Sequence, residues 1–415
     1  MIRCMGGGTV FFSCGREEPT KKDRAIAYND GVLAGAVAGE TGIHGLRLDF
    51  NAGLRLEVPA GDWHVRISDG VSGQVYFDRD IADVQLQSLE QFYVPWLVEV
   101  WLEGQQVFRH LLDYEGQKVC LYIDGKLPEQ PPPLGEAVQM LSVARAFARE
   151  HPECQVAVRP GAALAKLAGR CYPELEIVEG IPEDTYAVYH LGTYAEERFS
   201  APMDGLAAPW QEYAREILGL HGLPELDKWA PSGPRPVGPE APYVCIAVQA
   251  SGVCKGWLRP GGWDEVVAYL RGLGYRVLCL DRDFCVDDGG YHVEKPSGAE
   301  DYTGNRPLAE RFEMLAYADM FIGVSSGLSW LANAAGCPVV LISGLTLAYT
   351  EFYTPYRVSN PHVCRGCYND SRIPWDARLC PIHGGTEREL ECSKSITAAQ
   401  VIGAIERLRR DRKLG

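Results

Sequence analysis

The chain has 415 residues with 55 acidic and 40 basic side chains, which gives a formal net charge of −15. At about 150 residues per domain, this length predicts two or three domains with a sizeable core. The negative charge excludes a general affinity for nucleic-acid backbones and for anionic membranes. No apolar run approaches the roughly 18 residues that a membrane-spanning helix requires.

Fourteen cysteines are present, and most lie singly in apolar stretches such as YVCIAV and RVLCLD. This distribution indicates buried thiols in a reducing cytoplasm rather than a disulfide framework. Residues 1–41 are expected to form a disordered N-terminal tail. The apolar run near its start ends in Ser-Cys-Gly, as in a lipoprotein cleavage site, but glycines leave that run too short and too interrupted for a signal peptide.

Residues 42–125 show apolar and polar residues in alternation, with Gly and Asp at the breaks. A period of two over several short runs predicts a small all-β domain. A proline-rich stretch, KLPEQPPPLG, follows and separates this domain from the rest, because its prolines can neither continue a helix nor donate to a strand ladder.

Strands and helices then alternate in two successive series, residues 126–235 and residues 236–415. The linker WAPSGPRPVGPEAP separates them, and alternation of this kind predicts a parallel sheet covered by helices on both faces. Two Rossmann-like halves that face each other across a cleft form the GT-B architecture of glycosyltransferases. The predicted fold class is therefore α/β of the GT-B type, although a fold alone does not establish a function.

A metal-binding finger is predicted in the irregular segment 362–393, where four cysteines occur together. They are Cys364, Cys367, Cys380 and Cys392. Four thiolates fit a closed tetrahedral site, for which zinc and iron are the candidates. His383 is an alternative ligand in place of one cysteine. A site with no open position is expected to be structural and to brace a loop that has no apolar core of its own.

The stretch FIGVSSGLSW places Ser326, Gly327 and Leu328 at the end of a predicted strand and the start of a helix. Main-chain N–H groups at a helix start suit a phosphate or pyrophosphate. Ser251 and Lys255 follow the first strand of the same half, so both segments should open on one edge of the sheet. Lys255 would stabilise a departing nucleotide diphosphate without a catalytic metal. The alternatives are an ordinary serine N-cap and a surface lysine.

Three further residues of the second half are candidates for the donor site. Asp281, in the stretch LDRD, follows a strand and is expected to accept a hydrogen bond from a ribose hydroxyl. Thr303 and Gly304 form a turn that would line the donor pocket, or a purely structural turn. In the first half, Glu136 enters the first helix, where a carboxylate could take a proton from an acceptor hydroxyl. The alternative for Glu136 is a favourable interaction with the helix dipole.

Several stretches carry a resemblance to a known family: GAEDYTGNRPLAERFEML, FIGVSSGLSWLANAAGCPVVLISG, EFYTPYRVSNPHVCRGC, CPIHGGTERELEC and ITAAQVIGAI. They closely resemble the bacterial autotransporter heptosyltransferases, the TibC-like family. The segment DFNAGLRLEVPAGDWHVRISD resembles the N-terminal β-barrel of that family, so that the β-domain at 42–125 is identified as a small barrel. The likeness is dense in the C-terminal half and thin between Asp124 and Trp229.

The resemblance implies a cytoplasmic enzyme that moves heptose from ADP-heptose onto serine side chains of autotransporter adhesins. It also implies one structural ferric ion per chain and a large homo-oligomer, a dodecamer in the best-known members. By motif, the four cysteines correspond to the iron ligands and Lys255 to the lysine of the pyrophosphate site. Ser326, Gly327 and Leu328 correspond to its phosphate-binding helix start.

One position departs from the family. The family has Leu-Gly-Asp at the first helix, with the Asp as catalytic base, whereas this chain has Leu-Gly-Glu at Glu136. Moving the carboxylate by one methylene can cost about a hundredfold in rate. The leading hypothesis is an inverting single displacement with Glu136 as base. The alternatives are a non-catalytic paralogue that binds nucleotide sugars, and a transferase of the same fold with another nucleotide sugar or a small acceptor.

Overall fold

A computed structural model of the chain describes residues 8–15, 37–125, 131–192, 201–236, 238, 241–288, 290–373 and 379–414. Within this described part, none of the helices has the length and apolar character that crossing a membrane requires.

The elements before the inter-half linker include the following strands: β1 (Gly8–Phe12), β2 (Arg47–Asn51), β3 (Arg55–Val58), β4 (Trp63–Asp69), β5 (Val75–Ile81), β6 (Val84–Ser88), β7 (Trp96–Leu102), β8 (Gln105–Leu111), β9 (Lys118–Tyr122), β10 (Gln155–Arg159), β11 (Glu176–Ile177) and β12 (Ala187–His190). The helices of this part are α1 (Leu134–Glu150), α2 (Ala162–Cys171) and α3 (Trp210–Leu218).

The elements after the linker include these strands: β13 (Tyr243–Ala247), β14 (Arg276–Cys279), β15 (Cys285–Asp288), β16 (Tyr291–Glu294), β17 (Glu300–Asp301), β18 (Phe321–Val324), β19 (Val339–Ile342) and β20 (Arg357–Val358). The helices are α4 (Gly262–Gly272), α5 (Leu308–Ala316), α6 (Gly327–Ala334), α7 (Glu391–Lys394) and α8 (Ala398–Arg412).

The first half is built on an eight-stranded mixed sheet with the order β1-β6-β3-β2-β12-β9-β10-β11. Strands β9, β10, β11 and β12 pair in parallel, and β2 adds to β12 in parallel. Helices α1 and α2 pack on this sheet through buried residues such as Val143 and Leu164. Strands from the N-terminal region therefore complete the Rossmann-like sheet of the first half.

The structure corrects two predicted boundaries of the N-terminal region. Residues 1–41 were expected to form a tail, but β1 pairs with β6, and Phe12 is buried in the core. The β-domain was expected to extend to residue 125, but β9 is a parallel strand of the first half. Both differences arise because strand pairing joins segments that are far apart in the chain, which local periodicity does not reveal.

The strand pairing in residues 42–125 also does not form the predicted barrel. Strands β5, β4, β7 and β8 form a four-stranded antiparallel sheet in that order, whereas β2, β3 and β6 belong to the eight-stranded sheet. In the described part of the chain, no pairing joins β5 to β8 and closes a barrel. Buried residues of both sheets, such as Leu56, Leu86 and Val98, share one core. The region is thus two sheets packed together.

The second half contains a six-stranded parallel sheet with the order β17-β14-β13-β18-β19-β20. Counted within this half, the strand order is 3-2-1-4-5-6, which is that of a doubly wound Rossmann fold. Strands β13, β18 and β19 are buried along their whole length, as expected for strands covered on both faces. Helices α4 and α8 pack on one face, and α5 and α6 pack on the other.

The two halves meet where α1 and α6 begin. A Cβ added to Gly135 would lie 2.6 Å from Cδ1 of Trp330, and one added to Gly327 would lie 2.7 Å from Cβ of Leu134. Real Cβ atoms do not approach other atoms this closely, so only glycine allows this contact between the helix starts. The starts of the two helices therefore lie against each other, and this contact positions the candidate site.

Candidate active site

Glu136 lies in the first turn of α1 and is only 3% exposed. Burial, followed by the charges of Asp124, Asp204 and Glu136, raises the pKa of Tyr213 to about 12. The pKa of Tyr368 is also raised, first by burial and then by the charge of Glu136. The carboxylate therefore acts on phenols from the first half and from residues 362–393, the predicted metal-binding segment. The contact of the preceding Gly135 with Trp330 of the second half places this helix start at the boundary between the halves.

The predicted phosphate-binding turn lies opposite Glu136. Ser326 is the N-cap of α6 and has an extended backbone. Its Oγ is buried and has no hydrogen-bond partner among the described residues. Because Gly327 packs against Leu134, the turn Ser326–Leu328 faces the start of α1. The structure thus brings together the predicted base and the predicted phosphate site.

Ser251 and Lys255 lie after β13, and Lys255 ends a short 3-10 helix, Val253–Lys255. The Nζ of Lys255 lies 3.2 Å from the Oγ of Ser251, to which it donates. Strand β13 is the parallel neighbour of β18, so both segments leave the sheet at its carboxyl edge. This edge is where ligands bind in open α/β sheets, and it collects Ser251, Lys255 and the turn before α6.

The predicted ribose contact of Asp281 requires correction. Its side chain is 2% exposed, and its two carboxylate oxygens accept from the main-chain N–H groups of Val248 (2.8 Å) and Gln249 (3.1 Å). Burial raises the pKa of Asp281. The carboxylate therefore fastens the end of β14 to the end of β13, and a ligand cannot reach it.

Thr303 and Gly304 form a turn that is anchored on both sides. The N–H and Oγ1 of Thr303 both donate to Asp301 Oδ1, at 3.0 and 2.6 Å. The buried Arg311 donates to the carbonyl oxygens of Gly304 (2.7 Å) and Asp281 (3.0 Å). Sequence reasoning missed Arg311, because an arginine inside an amphipathic helix looks like an ordinary surface residue.

A second group that sequence reasoning missed lies behind the phosphate-binding turn. Ser325 donates to Glu351, and Glu351 forms an ion pair with Arg357. Arg357 also donates to Ser343 Oγ and to the Thr346 carbonyl oxygen, both at 2.9 Å. This network joins the ends of β18 and β19 and holds the residue that precedes the N-cap of α6. Only the fold brings its members together.

The four predicted metal ligands influence one another electrostatically. The pKa of Cys367 is raised to about 12 by burial and by the neighbouring Cys364, Cys392 and Cys380. The pKa of Cys392 is raised to about 12 by burial and by Cys380, Cys364 and Cys254. Neighbouring thiolates disfavour one another's negative charge, and a bound cation would compensate that charge. This set of sulfur donors therefore fits a metal ion.

The tightest group of metal-ligand atoms in the described residues has another composition. The ligand atoms of Cys364, His383 and Glu391 all lie within 4.8 Å of one another. The carboxylate of Glu391, however, already accepts from Arg388 (2.6 and 3.0 Å) and from the N–H of Cys364 (3.2 Å). Glu391 therefore holds the segment around Cys364, and the ligand set of four thiols stays a prediction.

A fifth cysteine connects the metal-binding segment to the donor site. Cys254 is buried in one apolar cluster with Cys367, Cys380 and Leu390. It directly precedes Lys255 in the chain. Sequence reasoning missed this contact, because Cys254 is more than a hundred residues from the four predicted ligands and has no ligand spacing with them.

The metal-binding segment contacts both halves next to Cys367. Tyr368 packs against Trp210, with ring centroids 6.5 Å apart, and Trp210 stacks on Trp330 at 6.1 Å. Two more contacts involve the neighbouring Asn369. Its Oδ1 accepts from the N–H of Leu347 (2.7 Å), and its Nδ2 donates to the carbonyl oxygen of Leu206 (3.0 Å). The segment therefore joins the chain before α3 to the second half.

Known proteins share both the sequence and the fold. Residues 42–104 match the family described as "Glycosyltransferase TibC, N-terminal domain". The autotransporter heptosyltransferase BAHTCr of Citrobacter rodentium (strain ICC168) is 37% identical over 371 residues, which are 87% of this chain and 88% of that protein. The chain belongs to the autotransporter heptosyltransferase family. The resemblance predicted from the sequence motifs is thus confirmed.

Two other members add information to this family membership. A crystal structure of TibC from enterotoxigenic Escherichia coli H10407, described as an iron-containing dodecameric glycosyltransferase, matches with a TM-score of 0.84 and 35% identity over 91% of this chain and 99% of that chain. A complex of TibC with ADP-D-beta-D-heptose matches with a TM-score of 0.83. The inactive autotransporter heptosyltransferase BimC of Burkholderia thailandensis (strain ATCC 700388 / DSM 13276 / CCUG 48851 / CIP 106301 / E264) is 35% identical over 380 residues, 87% of this chain and 85% of that protein.

The fold is accordingly that of an α/β glycosyltransferase, similar to TibC. Because one family member at a comparable identity is named inactive, membership alone does not establish catalysis. The activity of this chain depends on its own residues in the cleft.

Proposed function

We propose that this chain transfers heptose from ADP-heptose to serine hydroxyls of an autotransporter adhesin, with inversion at the anomeric carbon. The observation that carries this proposal is the meeting of two helix starts. One of them holds the carboxylate of Glu136, and the other holds the turn Ser326–Leu328. In these roles, a proton acceptor and an anion site would be adjacent, as transfer from a nucleotide sugar requires.

The donor would be held by its pyrophosphate. The N–H groups at the start of α6 and the ammonium group of Lys255 would bind this group and stabilise the negative charge that develops on the departing ADP. The unpartnered Oγ of Ser326 is available as a further contact. Since the diphosphate is a good leaving group with this support, no general acid is needed.

The acceptor would be activated by Glu136. As the serine oxygen attacks the anomeric carbon, the bond from that carbon to the ADP oxygen breaks, and the Glu136 carboxylate takes the serine proton. A single carboxylate is sufficient, because the displacement occurs in one step. Burial of Glu136 between the halves excludes water that would compete with the acceptor hydroxyl.

We also propose one structural ferric ion per chain, held by the four cysteines, with zinc as the alternative. When bound, the ion would cross-link a segment whose described residues include a 3-10 turn, Cys367–Asn369, and the short helix α7. The iron-containing and dodecameric description of TibC supports both the ion and a large homo-oligomer for this chain. A cytoplasmic location would keep the thiols reduced and would bring the enzyme to adhesins before their secretion.

The test is transfer by purified protein. The chain is incubated with ADP-heptose and a recombinant autotransporter passenger fragment, and heptose-sized mass increments are counted by mass spectrometry. We expect increments with the wild type and a loss of about a hundredfold or more with Glu136→Gln, because the base is removed. Binding of ADP by calorimetry should stay unchanged in the variant. Equal transfer by both proteins would eliminate Glu136 as the base.

A non-catalytic nucleotide-sugar-binding protein is the second candidate. It is favoured by the longer side chain at Glu136 and by the existence of the inactive relative BimC. The Glu136→Asp variant separates the two functions. A wild type that binds ADP-heptose without transfer, together with an active Asp variant, would establish the non-catalytic function. An active wild type would exclude it.

A further inference from the structure

The carboxyl edge of the first-half sheet has a row of polar and aromatic side chains that the proposed mechanism does not use. Arg159, Tyr122 and His190 are the last residues of β10, β9 and β12, and they are direct neighbours in register across these parallel strands. The guanidinium carbon of Arg159 lies 4.7 Å from the Tyr122 ring centroid, and the Tyr122 and His190 rings are 5.3 Å apart. The three side chains therefore form one continuous row.

Asp124 completes this row on the side of His190. The Nδ1 atom of His190 lies 2.9 and 3.2 Å from the two carboxylate oxygens of Asp124. A carboxylate at Nδ1 fixes the ring orientation and favours the tautomer with the proton on Nδ1, so that Nε2 becomes a hydrogen-bond acceptor. The side chains of His190 and Asp124 are 35% and 25% exposed, so the pair is accessible from the edge of the sheet.

The pair lies on the same side of the first half as the candidate base. Tyr213 donates its hydroxyl hydrogen to the carbonyl oxygen of Gly192 (3.0 Å), two residues after His190. The charges of both Asp124 and Glu136 act on the Tyr213 hydroxyl. In addition, α1 follows β9 in the chain, so Glu136 enters its helix from the edge at which β9 ends.

We propose that His190, oriented by Asp124, is a positioning residue that binds the acceptor polypeptide. In this role, Nε2 accepts a hydrogen bond from a main-chain N–H next to the serine, and the row of Tyr122 and Arg159 extends the contact along the polypeptide. This inference rests on the proposed function, because the row and the start of α1 that carries Glu136 lie at the same edge of the first-half sheet. An extended polypeptide suits the row, since it offers main-chain donors and acceptors in alternation.

The test compares His190→Ala with a control histidine outside the row. His64 lies on the four-stranded sheet, is 40% exposed, and donates from Nδ1 to Asp80 Oδ1 at 2.8 Å, while its Nε2 lies 2.8 Å from Asp78 Oδ1. Loss of one hydrogen bond and of its ring contact should raise the acceptor KM by about tenfold. We expect kcat to change by less than about twofold and the Kd for ADP to stay constant. His64→Ala should leave all three constants at wild-type values.

A second measurement makes the test independent of turnover. The probe is a fluorescein-labelled, serine-containing peptide from the passenger fragment, and its binding to the ADP-loaded chain is followed by anisotropy. We expect binding to weaken by about tenfold in His190→Ala and by less in Asp124→Asn, which keeps a hydrogen-bonding group beside the ring.

The results for His190→Ala and for the wild type distinguish failure of the acceptor site from failure of the proposed function. An unchanged acceptor KM and unchanged peptide binding in His190→Ala would overturn the acceptor site while transfer by the wild type leaves the proposed function intact. A fall in kcat at constant KM would also overturn it, because His190 would then act in the chemical step. A wild-type chain that neither transfers heptose nor binds the peptide would overturn both proposals.

Discussion

The Glu351–Arg357 ion pair provides the sharpest test of how the phosphate-binding turn is held. The side chains are only 3% and 15% exposed, and Glu351 also accepts from Ser325, the residue before the N-cap of α6. Glu351→Gln removes the charge and keeps the size. The turn is also held by the buried Ser329, whose Oγ donates to the Val324 carbonyl oxygen at 2.5 Å, but that bond is uncharged. We therefore expect the order of the turn, and with it the binding of ADP, to depend largely on the Glu351 carboxylate.

The magnitude follows from the partners that remain. Removing one member of a buried ion pair costs about 3–5 kcal/mol, because the other charge is left without compensation. Arg357 keeps its hydrogen bonds to Ser343 Oγ and to the Thr346 carbonyl oxygen, and the Gln amide oxygen still accepts one bond. We therefore expect a local loss of about 2–3 kcal/mol. This loss corresponds to a roughly 30- to 150-fold fall in protection of the turn against hydrogen exchange.

The assay is hydrogen exchange of the peptide that spans residues 321–331, combined with calorimetry of ADP binding. Glu300→Gln is the matched control, since Glu300 pairs with Arg276 in the same half but the two side chains are 39% and 33% exposed. A pair of this exposure contributes about 0–1 kcal/mol. The control should therefore leave exchange of the 321–331 peptide and the Kd for ADP at wild-type values.

Two results would contradict this role of the Glu351–Arg357 ion pair. If Glu351→Gln binds ADP as the wild type does and exchanges the 321–331 peptide at the wild-type rate, the ion pair does not hold the turn. If Glu300→Gln produces an equally large effect, the loss reflects general electrostatics of the half and not the contact with Ser325.

Three other predictions test the contact between the halves and the metal-binding segment. Gly135→Ala should destabilise the chain by about 1–3 kcal/mol in urea unfolding, because the added Cβ would overlap Trp330. The control is Gly403→Ala in α8, where an added Cβ has no atom within 4 Å, and this variant should be neutral or slightly stabilising. Equal losses of stability in the two variants would contradict the close contact at Gly135. Asn369→Ala leaves the Leu347 N–H without its bond, whereas the Leu206 carbonyl oxygen still accepts from Tyr349 at 3.3 Å. The variant should cost about 1–3 kcal/mol, with faster exchange at Leu347; unchanged exchange would exclude the bridging role. Removal of the ion with a chelator should speed proteolysis of the four-cysteine segment and shift tryptophan fluorescence. An apoprotein with the same proteolysis rate and the same fluorescence as the native protein would contradict a structural ion.

Much of the second half was predictable because its signals are local. Strands such as β13 and β18 are continuous apolar runs, and each is followed within a few residues by the polar groups of the site. The carboxyl edge rule then places Lys255 near Ser326 without knowledge of the fold. The cysteine spacing likewise predicts one metal-binding segment, and the ligand set of four cysteines stays a prediction.

What sequence reasoning missed depends on pairings between distant segments. The parallel addition of β2 to β12 joins residues that are more than a hundred positions apart, so the N-terminal strands looked like a separate unit. Asp281 was misassigned because its position after a strand is the same for a ligand contact and for a main-chain anchor. Only its burial and its bonds to Val248 and Gln249 distinguish the two.

The position of the metal-binding segment explains why a structural ion should matter for activity. Tyr368 and Asn369, which follow Cys367 in the chain, contact both halves. Cys254, which directly precedes Lys255, is buried in the same apolar cluster as Cys367. An ion bound by the four cysteines would therefore restrain the residue next to Lys255, which belongs to the proposed donor site. The sheets of both halves have cores that do not include this segment. Loss of the ion should accordingly weaken donor binding before it unfolds either half, and this order of events distinguishes a brace of the cleft from a general stabiliser.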